Sequence, residues 1–144
     1  GLGDVYKRQY TVSETLTRPV PGEVMTEFSD TPVYSETMRD YRVHAGTDYT
    51  AAHGETVHAC ANGIVKETHT DMLRGNMIVI EHGDYEVRYC GLGETFLVHE
   101  GDVVTAGQDI GSVTAAPFES ALDSHLHIEV TRNGEPVDPE SVFG

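Results

Sequence analysis

Two short histidine patterns contain the residues of this chain best suited to chemistry. One is His125-Leu126-His127, which opens an apolar run through Ile128 and Val130. The other is His44-Ala45-Gly46-Thr47-Asp48. In an extended strand, alternation sets His125 and His127 on one face, roughly 7 Å apart, and Leu126 and Ile128 on the other. One imidazole can then ligate a metal while its neighbour reaches the atoms around that metal. His44 and Asp48 share parity, and a bend at Gly46 can bring them together. Imidazole nitrogen and carboxylate oxygen are ordinary zinc ligands. His44, Asp48 and His127 together supply three, leaving a fourth position for water, which is the catalytic rather than the structural kind of site. The chain has no Cys-x2-Cys pair, which also argues against a structural zinc. Taken singly each pattern is weak, and surface histidines in chance proximity are the competing reading.

Strands must position these groups. Residues 63–69 follow an Asn-Gly turn and read as a strand, as do the apolar residues 76–82 and the alternating residues 85–90. Residues 109–113 and 125–131 read the same way. Turn signals recur at Gly83-Asp84, Gly101-Asp102, Gly107-Gln108 and Asn133-Gly134. Helix is confined to single turns at Ser35–Asp40 and at Pro117–Asp123, the latter with Pro at its start. The spacing of turns predicts an all-β fold, an antiparallel sandwich or open barrel.

Length and composition bound the rest. The 144 residues suit one domain, and 38% hydrophobic content is enough for a core. No apolar run approaches the roughly 20 residues of a membrane helix. Residues 1–18 read as a scar or linker, expected to be disordered, and 19–144 as the domain. Within that lead-in, GLGDVYKRQ resembles an adapter remnant. A net charge of −15, from 24 acids against 9 bases, excludes nucleic acid as a partner, since phosphate neutralisation needs clustered Lys and Arg. Cys60 and Cys90 could pair or stay free.

The stretch HAGTDYTAAHGETVHACANGIV resembles the M23 (LytM-type, lysostaphin-like) peptidases. In that family a His-x-Gly-x-Asp segment precedes a Gly-x-x-Val-x-Ala-x-x-x-Gly-x-Val strand pair. EGDVVTAGQDIGSV and SHLHIEVTRNGEPVDPESVF resemble its later landmarks, in order, so the likeness runs from about Val20 to the C-terminus. DTPVYSETMRDYRVHAG resembles the SpoIIQ-like branch found in endospore-forming bacteria. The resemblance implies a barrel-sandwich fold and zinc held by His44, Asp48 and His127, with His125 as catalytic histidine. It implies peptide cross-links of bacterial cell wall as substrate and an extracytoplasmic location, either at the cell surface or between two membranes. A membrane-anchored parent protein is compatible with it.

One departure bears on activity. Active members carry a second catalytic histidine in a Tyr-x-His-Leu segment, and here the matching stretch is Tyr89-Cys90-Gly91-Leu92. Gly91 has no side chain to move a proton or stabilise an oxyanion, a loss typically of about 10²–10⁴ in rate. Alternation turns Cys90 to the other face, and His82 and His99 read as turn residues. His53, His58 and His69 read as solvated, and His53 stands where many relatives have Pro. Two readings follow. One is a degenerate domain that keeps zinc and acts as a SpoIIQ-like binding or assembly module with a protein partner, as such proteins do in sporulation. The other is an active endopeptidase on peptidoglycan peptide. Gly91 favours the first, and restoring histidine there is expected to raise cleavage. A biotinyl or lipoyl carrier is a poor third, because neither Lys7 nor Lys66 sits in an exposed hairpin turn of the required kind.

Overall fold

The structure is a computed structural model and describes residues 9–144. Among them, twelve strands alternate with turns, and the only helical pieces are two 3-10 turns at Pro117–Glu119 and Pro139–Ser141. The strands are β1 (Val24–Thr26), β2 (Ser29–Ser35), β3 (Asp40–His44), β4 (Thr47–Thr50), β5 (Thr56–His58) and β6 (Gly63–Asp71). They continue with β7 (Gly75–His82), β8 (Tyr85–Leu92), β9 (Val103–Val104), β10 (Asp109–Ser112), β11 (His125–Arg132) and β12 (Glu135–Val137). The expected all-β class is the one observed.

The main sheet has eight antiparallel strands in the order β1-β4-β11-β8-β7-β6-β9, with β12 paired to β11. Strands β5 and β10 form one two-stranded sheet, and the hairpin β2-β3 another. Turn chemistry sets the register. Asn133 and Gly134 both have positive φ, 53° and 81°, as the two-residue turn between β11 and β12 requires. Gly83, at φ 67°, serves the β7–β8 turn in the same way.

β11 lies between β4 and β8, and its two faces differ in chemistry. Leu126, Ile128 and Val130 enter the main core with Tyr49, Val87, Tyr89, Ile78 and Ile80, all fully buried. His125, His127 and Glu129 occupy the opposite face, where burial is nearly as complete. Cys90 pairs across from His127 in register and packs there with Met77 and Val79.

Several expectations change. Cys90 shares a face with His127 rather than turning away from it, because directly opposed residues on antiparallel strands project to the same side. Cys60 lies in the main core and Cys90 in the cluster on the other face, and both are free thiols. Ser35–Asp40 forms the β2–β3 turn instead of a helical turn. There Ser35 Oγ accepts from Met38 N at 3.1 Å, and Arg39 takes positive φ. Of Pro117–Asp123 only Pro117–Glu119 is helical, as 3-10.

The lead-in also differs from expectation. Residues 1–8 lie outside the described residues. The remainder, 9–18, packs against the domain: Leu16 is buried in the core and bridges Phe143, Thr17 N donates to Cys60 O at 2.9 Å, and Arg18 pairs with Glu140. The buried Leu16 and hydrogen bonds from Asn62 to Ser13 and Thr11 and from Gly83 to Tyr10 together tie this polar segment down.

Candidate metal centre

Register carries out what parity foretold. β4 pairs with β11 so that Asp48 stands directly opposite His127, and β8 pairs on the other side. His44 ends β3, and a sharp bend at Ala45-Gly46 leads into β4. A Cβ at Gly46 would lie 2.3 Å from Ile128 O and 2.9 Å from the His127 ring, so only glycine lets the chain pass this close. The His44 and His127 rings meet edge to face, with centroids 5.2 Å apart.

Four expected residues, His44, Asp48, His125 and His127, therefore converge. A fifth, Glu119, joins them and was not among the expected site residues. Its Oε2 lies 2.7 Å from His44 Nε2, and its Oε1 lies 3.0 Å from His127 Nδ1 and 3.1 Å from His125 Nε2. Asp48 Oδ1 is 2.7 Å from His127 Nδ1. Ligand-capable atoms of His44, Asp48, Glu119 and His127 all fall within 4.8 Å of one another. The site is shielded from water, with Asp48 at 0% exposure and His127 at 1%.

Outer partners orient the rings. His44 Nδ1 donates to Glu27 O at 2.9 Å, which aims Nε2 inward. His127 Nε2 donates to Glu129 Oε2 at 2.9 Å, which aims Nδ1 inward. Arg74 Nε, 2.8 Å from the same carboxylate, and the Arg88 guanidinium hold Glu129 in place. A histidine whose far nitrogen is fixed by a carbonyl or carboxylate is the usual arrangement of a metal ligand. Asp48 Oδ2 adds a further sign. It is buried and has no hydrogen-bond partner among the described residues, with only the His44 imidazole near it, at 3.3 Å. A buried carboxylate oxygen left unpaired is costly unless a cation compensates it. The donor set of two imidazoles and two carboxylates fits a divalent zinc-like ion.

The electrostatics agree with that fit. Burial pulls the His44 imidazole down, but the Asp48 and Glu119 carboxylates carry it up to about 9. His127 is likewise raised well above its ordinary value against the pull of burial, through Asp48, Glu119 and Glu129. Burial pushes Glu129 up, yet His127 and Arg74 bring it down to about 2. Burial lifts the Cys90 thiol to about 12, so it is no proton carrier near neutral pH despite facing the site.

Gly91 sits at φ 72° at the edge of this region. A Cβ there would meet Ala116 N at 2.6 Å and the Ala115 carbonyl carbon at 2.9 Å. The space beside Gly91 is thus filled by the segment that leads to Glu119. The expectation that a histidine at 91 would restore a missing function meets backbone rather than open room. His82 is not a solvated turn residue either. It is buried, with Nε2 2.7 Å from the Oη of Tyr89, a residue of the main core. His99 is exposed, as expected.

The peptidase family M23 model matches residues 42–139, more than half of the chain. Peptidoglycan DD-endopeptidase ShyA of Vibrio cholerae is 35% identical over 96 residues, covering 66% of this chain and 22% of ShyA. The chain thus spans about a fifth of that relative's length. A zinc-containing peptidase from Vibrio cholerae superposes with a TM-score of 0.72 at 27% identity, over 90% of this chain and 39% of that one. A chain of the SpoIIQ–SpoIIIAH pore-forming complex superposes with a TM-score of 0.75 over 90% of this chain and 91% of its own. At 22% identity that likeness speaks for the fold alone. A family match over most of the chain, on a fold shared with solved relatives, makes this chain a member of peptidase family M23.

Proposed function

We propose that the chain is a zinc-binding M23 domain whose peptidase activity is weak or absent. It acts outside the cytoplasm as a binding or assembly module. In this reading His44, Asp48 and His127 hold the zinc. Zinc bound there would polarise a peptide carbonyl and acidify a water. His125 is the one histidine placed to handle a proton. Its Nδ1 donates to Asp123 O at 2.7 Å, and its Nε2 points toward the ligand cluster. The observation that carries the reading is Gly91. No side chain arises where the family's second histidine belongs, and the Ala115–Ala116 backbone takes up the room. The site therefore has one proton-handling group where active relatives have two.

A surface beside the site suits the module role. Val33, Tyr34, Val43, Phe118 and Leu122 line a groove next to His44 and Glu119. The β2–β3 hairpin forms one wall and leaves Tyr34 and Tyr41 exposed. A wall peptide or a protein partner would lie there. The SpoIIQ-like assignment rests on the residues that precede His44, not on the likeness of fold.

A second reading, an active endopeptidase on cross-links of bacterial cell wall, is favoured by the joint presence of His44, Asp48, His125 and His127. Incubation with cross-linked wall peptides, with and without chelator, tests the choice. Product at background level in both arms supports the degenerate module. Chelator-sensitive cleavage at the rate of an active relative overturns it.

A further inference from the structure

We infer that Glu119 is a fourth protein ligand to the zinc, so that the site is closed rather than open to water. This rests on the zinc reading above and goes beyond its three ligands.

Tetrahedral zinc with ligands at about 2.0–2.2 Å sets its donor atoms roughly 3.3–3.6 Å apart. Here each carboxylate turns one oxygen toward each imidazole: His44 Nε2 lies 2.7 Å from Glu119 Oε2 and 3.3 Å from Asp48 Oδ2, and His127 Nδ1 lies 3.0 Å from Glu119 Oε1 and 2.7 Å from Asp48 Oδ1, while one donor atom from each of the four residues falls within 4.8 Å of the others. Small outward shifts convert this cluster into a coordination shell. Glu119 already touches the inward nitrogens of His44 and His127, and that of His125 beside them. Asp48 Oδ2, buried and without a hydrogen-bond partner among the described residues, adds a carboxylate oxygen that a cation would satisfy. Two carboxylates and two neutral imidazoles would also balance the charge of a divalent ion, which matters where water is excluded.

The segment bearing Glu119 is anchored along its length. Phe118 N donates to Leu73 O at 3.0 Å, and the Phe118 ring stands edge-on to His127 with centroids 4.9 Å apart. Ala115 and Ala116 abut Gly91, and Ala121 N donates to Thr37 Oγ1 at 3.0 Å. Glu119 is thus held in the shell by contacts to β8, the β6–β7 turn and the β2–β3 turn. A zinc site with four protein ligands stabilises a fold, whereas an open position is what catalysis uses. Glu119 and Gly91 then belong to one change: the segment that fills the room of the missing histidine also delivers the closing ligand.

Cobalt substitution tests this. The wild-type chain, Glu119→Ala and Glu119→Gln are loaded with Co²⁺, and their visible spectra are recorded with and without azide. Circular dichroism verifies folding, and the glutamine variant keeps the side-chain volume should the alanine variant unfold. The expected result is a tetrahedral wild-type spectrum indifferent to azide. Both variants should show spectra that azide shifts, and zinc affinities weaker by about 10-fold or more. A wild-type spectrum that azide shifts as much as those of the variants overturns the ligation by Glu119 and leaves the three-ligand site standing. Failure of all three proteins to take up metal overturns the zinc reading itself.

Discussion

Gly91 and Ala116 are in backbone contact: a Cβ built on Gly91 would stand 2.6 Å from Ala116 N, at a φ of 72°. Both the left-handed backbone and the crowding oppose any side chain there. Gly91→Ala and Gly91→His are expected to lose roughly 2–4 kcal/mol of stability. Neither should gain cleavage of wall peptides. Urea unfolding of the two variants measures the first expectation. A Gly91→His protein as stable as wild type would mean that the Ala115–Ala116 segment yields easily.

Glu129 is expected to govern metal affinity without being placed among the ligands. It fixes the His127 ring through Nε2 and is itself held by Arg74 and Arg88. Glu129→Gln keeps an acceptor but removes the charge that makes the imidazole a stronger donor. Zinc affinity measured by competition with a chelator should fall about 10-fold or more, with the fold intact by circular dichroism. An unchanged affinity would remove Glu129 from the site.

Acid should weaken the fold through His82. Burial holds this imidazole down at about 4, although Glu81 and the carbonyls of Asn62 and Ala61 oppose the shift. Its Nε2 faces Tyr89 Oη and its Nδ1 faces Asn62 O. Between pH 6.5 and 4 the unfolded chain takes up a proton at this residue and the folded chain does not. Stability is therefore complete above pH 6.5 and declines as pH falls toward 4, by on the order of 3 kcal/mol from this group. The unfolding free energies of wild type and His82→Gln, measured across that range, should converge toward acid. Parallel profiles would contradict the assignment.

Much of the site could be read in the sequence because it depends on short-range parity. His-x-His on a strand and His-x3-Asp around a glycine needed only alternation and one bend, and pairing of β4 with β11 did the rest. Glu119 was not legible. It lies 75 positions from His44 and reaches the site from a 3-10 turn that no local pattern distinguishes from any surface turn. The facing of Cys90 was missed because it depends on which residue of β11 it opposes, and register is a tertiary property. Leu16 gave no signal in a polar stretch, and its burial depends on a partner near the far end of the chain, Phe143. The hairpins at Gly83 and at Asn133-Gly134 were legible, since positive φ at those positions is written in residue type.

Zinc content of the purified chain tests the central claim most directly. Elemental analysis of wild type and His127→Ala, after dialysis against metal-free buffer, should give about one zinc per chain for wild type and almost none for the variant, since two imidazoles and a carboxylate are the minimal set of such a site. Absence of stoichiometric zinc from the wild-type protein, even after exposure to zinc before dialysis, would contradict it.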